Sequence, residues 1–297
     1  MKIFSTGWSE NFDGPGRRRI IYLKGCNFKC LWCANPEGLS HNTEILFYSR
    51  RAQYANKACP NSAVTKQGNE YLLNHNICEN CASKNCVNSW KHPAFEIAGE
   101  ELSVDSLVKY SVDNKQLFGA AGGITFSGGE PTLQIDEIIT AINMLHKDGI
   151  TTTVESNAGT ENFARLIGTA DLLICDLKCV STDLHKHWTG QDNSLVLNNL
   201  RSAAKEQKNL WIRIPLIPGM NDTKEELTQT AEFLQEVAAH RDFLKVEILR
   251  MHHIGEPKYK ALSMKYQLSD IKEPSREHAL HCIDLLKHKK LLISLAQ

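Results

Sequence analysis

Six short β-prone runs alternating with segments of helical period confine this chain to a narrow set of folds. The runs are Arg19 to Leu23, Ile124 to Phe126, Thr151 to Glu155, Leu172 to Asp176, Leu210 to Ile214 and Val246 to Leu249. Amphipathic stretches separate them: Leu102 to Tyr110, Ile135 to Lys147, Asn162 to Ile167, Ser194 to Glu206 and Lys224 to Ala239. Repeated strand–helix alternation argues for a parallel sheet joined by right-handed crossovers, since each crossover must carry the chain back along a sheet face. The predicted class is α/β, an incomplete (β/α)6 barrel of TIM type. Function in such barrels collects at the C-terminal ends of the strands. The motifs treated below each follow a strand directly.

Charge and composition remove several classes of function. Lys plus Arg and Asp plus Glu are both 34, a net charge of zero, so the chain lacks the electrostatic footprint of a general nucleic-acid binder or a polybasic membrane binder. At 42% hydrophobic and 23% charged residues it reads as an ordinary globular protein. The N-terminal stretch has no apolar core of signal-peptide length, and no run is long enough to span a bilayer, so the expectation is a cytoplasmic protein. Ten cysteines are then unusual. Where thiols stay reduced, clustered cysteines hold metal more often than they form disulfides.

Seven of the ten fall in two groups: Cys26, Cys30 and Cys33, then Cys59, Cys78, Cys81 and Cys86. The second group lies where apolar periodicity gives way to Asn, Lys, Ser and Cys. Residues 48–98 therefore read as a Cys-rich insertion with little core of its own, and residues 1–47 and 99–297 as the barrel. Cys175, Cys179 and Cys282 are scattered, the first within a strand and the last in an apolar helical segment, and read as small buried hydrophobes. His185 and His187 read as a solvated helix face.

The first group forms a C-x3-C-x2-C loop, Gly25 to Cys33, immediately after the first run, with Trp32 just before the last cysteine. Three thiolates do not close the tetrahedron of a structural zinc site unless a fourth ligand such as His41 joins them. Three cysteines around a [4Fe-4S] cube instead leave one iron open to a substrate. The loop resembles the signature of the radical S-adenosylmethionine (SAM) enzymes. That resemblance implies a [4Fe-4S] cluster on Cys26, Cys30 and Cys33 whose open iron binds SAM. It also implies reductive cleavage of SAM to a 5′-deoxyadenosyl radical that takes a hydrogen atom from the substrate.

Later strand ends carry residues suited to the rest of a SAM molecule. Ser127-Gly128-Gly129-Glu130 resembles the family's GGE motif, where glycines let the backbone approach and Glu130 can accept from the SAM ammonium. Glu155-Ser156-Asn157 offers partners for ribose hydroxyls. Asp176 and Lys178 follow the next strand, with Lys178 placed for the SAM carboxylate. Arg213 is a second candidate for that carboxylate, with a surface salt bridge as its alternative. His252 aligns with a histidine near the adenosyl group, and Trp32 joins the same cofactor-binding set.

Two further segments narrow the resemblance. Asp13-Gly14-Pro15-Gly16-Arg17 before the first run, and Asn35-Pro36-Glu37 after Cys33, are similar to the glycyl radical enzyme activating enzymes, of the pyruvate formate-lyase activating type. The likeness covers the first forty or so residues and resumes from Glu101 to Tyr259. It departs at Glu155, for Asp, and at Ala158, for Gly, which leaves a small-cation site there without support. The resemblance implies a glycyl radical enzyme as protein substrate, abstraction of a glycine α-hydrogen, and flavodoxin or ferredoxin as electron donor. Many such enzymes carry a ferredoxin-like insert with eight cysteines; here four are present. In two-cluster ferredoxins a Cys-Pro cysteine ligates the cluster of the other run, which pairs Cys59 with Cys78, Cys81 and Cys86 around a second, auxiliary [4Fe-4S] cluster. A four-cysteine zinc site fits the same count. The rival functions are a radical SAM enzyme acting on a small molecule or peptide, and a non-catalytic iron-sulfur or zinc carrier.

Overall fold

All six predicted strands form, and they join one nine-stranded sheet rather than a six-stranded one. In the computed structural model, which describes residues 1–88 and 91–296, β1 (Lys2–Glu10) and β2 (Arg17–Leu23) make an antiparallel hairpin. β3 (Glu44–Phe47) follows, the insertion supplies β4 (Val64–Gln67), β5 (Glu70–Leu73) and β6 (Phe95–Ala98), and β7 (Glu100–Glu101) returns to the edge of β1. Then come β8 (Gly123–Gly128), β9 (Thr151–Ser156), β10 (Leu172–Asp176), β11 (Leu210–Leu216), β12 (Leu244–Arg250) and β13 (Leu291–Leu295). The order is β13-β12-β11-β10-β9-β8-β2-β1-β7, with every pair from β2 through β13 parallel. The order is linear, so the barrel is open between β13 and β7.

The sequence reading thus missed a seventh parallel strand, β13, the outer hairpin strand β1 and the two-residue β7 at its edge. β13 alternates buried and exposed residues at a free edge, and β1 is only half-buried along most of its length. The helices are closer to expectation. Ile135–Lys147 buries Ile135, Ile138, Ala141, Ile142 and Leu145 at three- and four-residue spacing against the sheet, with Asp136 and Glu137 in its first turn and His146 and Lys147 in its last. Lys224–Ala238 starts where Thr223 accepts from the Glu226 backbone N–H. The stretch expected as a helix near Asn162 is a 3-10 turn, Glu161–Leu166. His185 is a correction: it is fully buried, with Nδ1 2.7 Å from the Gln191 carbonyl and its ring edge-on to Phe28.

The insertion has more core than its composition suggested. β3 pairs antiparallel with β6, and β4 with β5. Ile45, Phe47, Val64 and Phe95 close around Cys78 and Cys86. β3, just before residue 48, thus pairs with β6, which lies within residues 48–98. Lys24, buried at the end of β2, ties β3 to the barrel by donating to Glu44 (2.8 Å) and to the Glu37 carbonyl (2.6 Å).

Candidate active site

The cysteine loop leaves β2 under tension of a specific kind: it must pass close to the end of β8. A Cβ on Gly128 would stand 2.3 Å from the Leu23 nitrogen, and one on Gly129 would stand 2.0 Å from the Gly25 carbonyl oxygen. Only glycine allows that approach. The backbone closes it, Gly129 N donating to Leu23 O (2.8 Å) and Glu130 N to Gly25 O (2.7 Å). Beyond this seam Lys29 N and Leu31 N donate to the carbonyls of Thr189 and Trp188, so the loop is laid on the helix Thr182–Thr189.

The result is one cavity of about 300 Å³ at the C-terminal ends of the strands. Cys26, Cys30, Cys33 and Trp32 line it, as do Ser127, Gly128 and Gly129 after β8, and Glu155, Ser156 and Asn157 after β9. Asp176 and Lys178, Arg213, and His252 complete the lining from β10, β11 and β12. Every residue singled out for this site therefore faces one space except Glu130. Its carboxylate is fully buried and turned away, accepting from Thr132 N, Thr132 Oγ1, Ser156 Oγ and Asn157 N at 2.6 to 3.0 Å. Burial pushes Glu130 up while these four bonds pull the other way. The carboxylate is thus the knot joining the loops after β8 and β9, bonded within the protein and outside the cavity lining.

Arg213 also differs from expectation. It is buried, not on the surface, and is shared among three carboxylates: Glu155 at 2.6 Å, Glu247 at 2.9 Å and Asp13 at 3.5 Å. It donates in addition to the Phe12 carbonyl and lies over the Phe12 ring. These contacts lock the turn between β1 and β2 inside the barrel, where Thr125 Oγ1 further donates to the Asp13 carbonyl (2.7 Å). Burial and the nearby Asp13 push Glu155 up to about 8 against the pull of Arg213. The guanidinium, for its part, is desolvated, yet its three carboxylates hold it charged.

Besides Arg213, the exposed Arg250 and the buried Lys178 line the cavity as cations. Lys178 follows β10. It pairs with Asp176 at 2.8 Å. Burial opposes its charge, but Asp176 and the thiols of Cys30 and Cys26 raise its pKa overall. Three side chains that sequence reasoning missed hold it in place. Asn221 donates to the Lys178 carbonyl, Asn193 to those of Cys179 and Val180, and the Glu226 carboxylate accepts from Val180 N and Ser181 N. Asn221 lies in the loop after β11 and Glu226 in the helix Lys224–Ala238; nothing in their local sequence signals a role at β10. Ile174, Pro215, Leu249 and Met251 add apolar wall. His252 faces the cavity, whereas His253 turns to Tyr266 and the Ile271 carbonyl.

Burial pushes Cys26 and Cys30 up to about 12 and Cys33 to about 11, with Lys178 opposing each shift. Left alone they are thiols; a bound metal group would take them as thiolates. Asn157 Nδ2 stands 3.8 Å from Cys26 Sγ and donates at 2.8 Å to Asn27, bracing the loop. Among the described residues, no three His, Cys, Asp or Glu side chains are close enough to share one metal ion. Three cysteines of one loop lining one cavity are a donor set of the kind that holds a [4Fe-4S] cluster with one iron open, and the residues present fit that group. In the insertion, Cys78 and Cys86 are buried and Cys59 and Cys81 half-buried. Burial pushes Cys78 up to about 11; Lys84 lowers it, and Cys86, Cys59 and Cys81 raise it. Cys78 thus stands within electrostatic reach of the other three. Cys175, Cys179 and Cys282 are buried hydrophobes, as read from the sequence.

Comparison with known proteins decides the family. The description "Radical SAM superfamily" matches residues 20–234, most of the chain. The chain belongs to the radical SAM superfamily. Within it, this radical SAM protein is 32% identical over 287 residues to the 4-hydroxyphenylacetate decarboxylase activating enzyme of Clostridioides difficile strain CD196, covering 93% of this chain and 90% of the relative. It is 34% identical over 277 residues to the trans-4-hydroxy-L-proline dehydratase activating enzyme of Clostridioides difficile, with 89% of each covered. The radical SAM protein is thus an activating enzyme by family. Its fold is shared by a radical SAM methyltransferase from Sphaerobacter thermophilus, with a TM-score of 0.50, 15% identity, and 65% of this chain and 57% of that one covered. Among the described residues, no helix is long and apolar enough to cross a membrane.

Proposed function

We propose that this activating enzyme installs a glycyl radical on a partner enzyme, with Cys26, Cys30 and Cys33 holding a [4Fe-4S] cluster and the cavity beside them holding SAM. The observation that carries the reading is the cavity itself, which gathers the three cysteines and the strand-end residues after β8 to β12 into one space. When bound, cluster and SAM supply a 5′-deoxyadenosyl radical that abstracts the glycine α-hydrogen.

The chain's own residues bind and orient. Lys178, kept charged by Asp176, takes the SAM carboxylate. With the Glu130 carboxylate bonded within the protein and outside the cavity lining, the backbone at Ser127 to Gly129 is left to meet the ammonium. Ser156 and Asn157 face the ribose. Ile174, Leu249 and Met251, with His252 and Trp32, form the adenine side. Arg213 and Glu155 act one step back, with Arg213 fixing the Asn11–Gly16 turn through Asp13 and the Phe12 carbonyl. The open side between β13 and β7 admits the partner's glycine loop. Cys59, Cys78, Cys81 and Cys86 hold an auxiliary [4Fe-4S] cluster; Cys78 and Cys86 sit in the insertion's core and Cys59 packs against it, which supports a shared site. A flavodoxin or ferredoxin donates the electron, and the cytoplasm is the compartment in which these thiols stay reduced. The partner is a decarboxylase or dehydratase, the two kinds named among the relatives above.

The test is anaerobic incubation of the reconstituted protein with SAM, reductant and a candidate partner encoded beside it. The proposal predicts 5′-deoxyadenosine together with a glycyl-type radical signal on the partner. Deoxyadenosine formed equally without any partner, or with a free amino acid instead, contradicts it.

A further inference from the structure

The cysteine loop has a second, outward face. Cys26 and Cys30, which line the SAM-side cavity, also line a separate cavity of about 380 Å³ on the other side of the loop. Lys29, Leu39, Met264 and Lys265 form much of its remaining wall, which includes two lysines and no carboxylate. Lys29, Met264 and Lys265 are exposed. Among the described residues, none from 48 to 98 lines it.

We propose that this outer cavity is the docking site of an acidic one-electron carrier protein, which delivers its electron directly to the group held by Cys26, Cys30 and Cys33. The inference rests on the cluster reading above and adds where the electron enters. Three observations argue for it. Cys26 and Cys30 line both cavities, so the group they hold lies beside this outer opening. The chain as a whole balances 34 basic against 34 acidic residues, so two lysines without a carboxylate around an apolar floor form a local positive patch, which steers an acidic partner. Transient redox encounters use small interfaces, so a shallow opening of this kind suffices. SAM occupies the opposite face, so carrier and SAM do not compete. One electron passes from the carrier, which is oxidised, to the cluster, which is reduced; no atom or proton moves. The rival route, through the insertion, would place the carrier near Arg50 and Arg51, which border a different cavity.

The experiment is stopped-flow reduction of the reconstituted full chain, followed by cluster absorbance, with photoreduced flavodoxin as the protein donor and photoreduced deazaflavin as a small one. Lys29→Glu/Lys265→Glu is expected to slow reduction by flavodoxin at least about tenfold and to flatten its dependence on salt. SAM binding and reduction by deazaflavin should stay as in the wild type. A flavodoxin rate unchanged by this reversal, or slowed instead by Arg50→Glu/Arg51→Glu, overturns the proposal. If deazaflavin cannot reduce the wild type at all, the cluster reading itself fails, and the docking site falls with it.

Discussion

Arg213 on β11 reaches across β10 to Glu155 on β9, with Nη1 2.6 Å from Oε1, and so commits to the protein's own carboxylates the charge that a ligand carboxylate would need. Breaking a buried ion network by removing one partner leaves the others uncompensated, at about 3–5 kcal/mol. Arg213→Ala should therefore lower stability by that order, while SAM affinity of the folded fraction changes little. Denaturant unfolding and calorimetric SAM titration together measure both; a large affinity loss at unchanged stability would return Arg213 to the SAM carboxylate.

Lys178 should show the opposite pattern. A hydrogen bond to a charged group contributes about 1.5–3 kcal/mol, so Lys178→Met should weaken SAM binding about ten- to a hundredfold. Its conservative counterpart Lys178→Arg, still cationic, should recover part of the loss. Equal binding by Lys178→Met and wild type would contradict the assignment.

Glu155 gives the fold a pH dependence of known sign. Its carboxyl is held up to about 8 in the folded state by burial and Asp13, above the unfolded value of about 4.3. The folded protein then keeps a proton that the unfolded chain releases, so this contribution to stability is full below the unfolded value and is lost as pH rises through the folded one. Glu155→Gln should flatten the stability curve across that window by up to about 1.4 kcal/mol per pH unit. Parallel curves for variant and wild type would show that the carboxyl is ionised throughout.

Glu130→Ala would strand Thr132 N, Ser156 Oγ and Asn157 N in a buried pocket. At about 1–3 kcal/mol for each unsatisfied group, the expected loss is about 3 kcal/mol or more, with the Ser156-Asn157 wall disordered. Thermal unfolding checks this, and Glu130→Gln should lose less because one acceptor remains.

Ala158 is buried and has φ +54°, the left-handed region that non-glycine residues rarely adopt. It stands where the related motif has glycine. Ala158→Gly should fold and bind SAM as the wild type does, whereas the β-branched Ala158→Val should destabilise by more than about 2 kcal/mol. A stable valine variant would mean the backbone here can relax.

How much of this was legible in the sequence differs by layer. The six inner strands declared themselves because each is a short β-prone run set between amphipathic helical stretches. β1, β7 and β13, at or near the free edges of the sheet, stand outside that alternation and were not read. Cysteine spacing and the strand-end motifs located the cavity because local sequence is enough to fix them. What sequence could not give was which way a side chain points. Glu130 and Arg213 stand in the expected loops, but long-range partners on β9, β12 and the β1–β2 turn claim their charges. Asn193, Asn221 and Glu226 hold Lys178 from 15 to 48 residues away, with no local signal, and His185, polar by composition, is buried by its contact with Phe28.

The most direct test of the central claim is electron paramagnetic resonance of the anaerobically reconstituted and reduced protein, with and without SAM, for the wild type and for Cys30→Ala. A [4Fe-4S]⁺ signal that changes on adding SAM, and is lost in Cys30→Ala while the insertion's signal persists, is the predicted result. A signal indifferent to SAM, or zinc bound in place of iron at Cys26, Cys30 and Cys33, would contradict it.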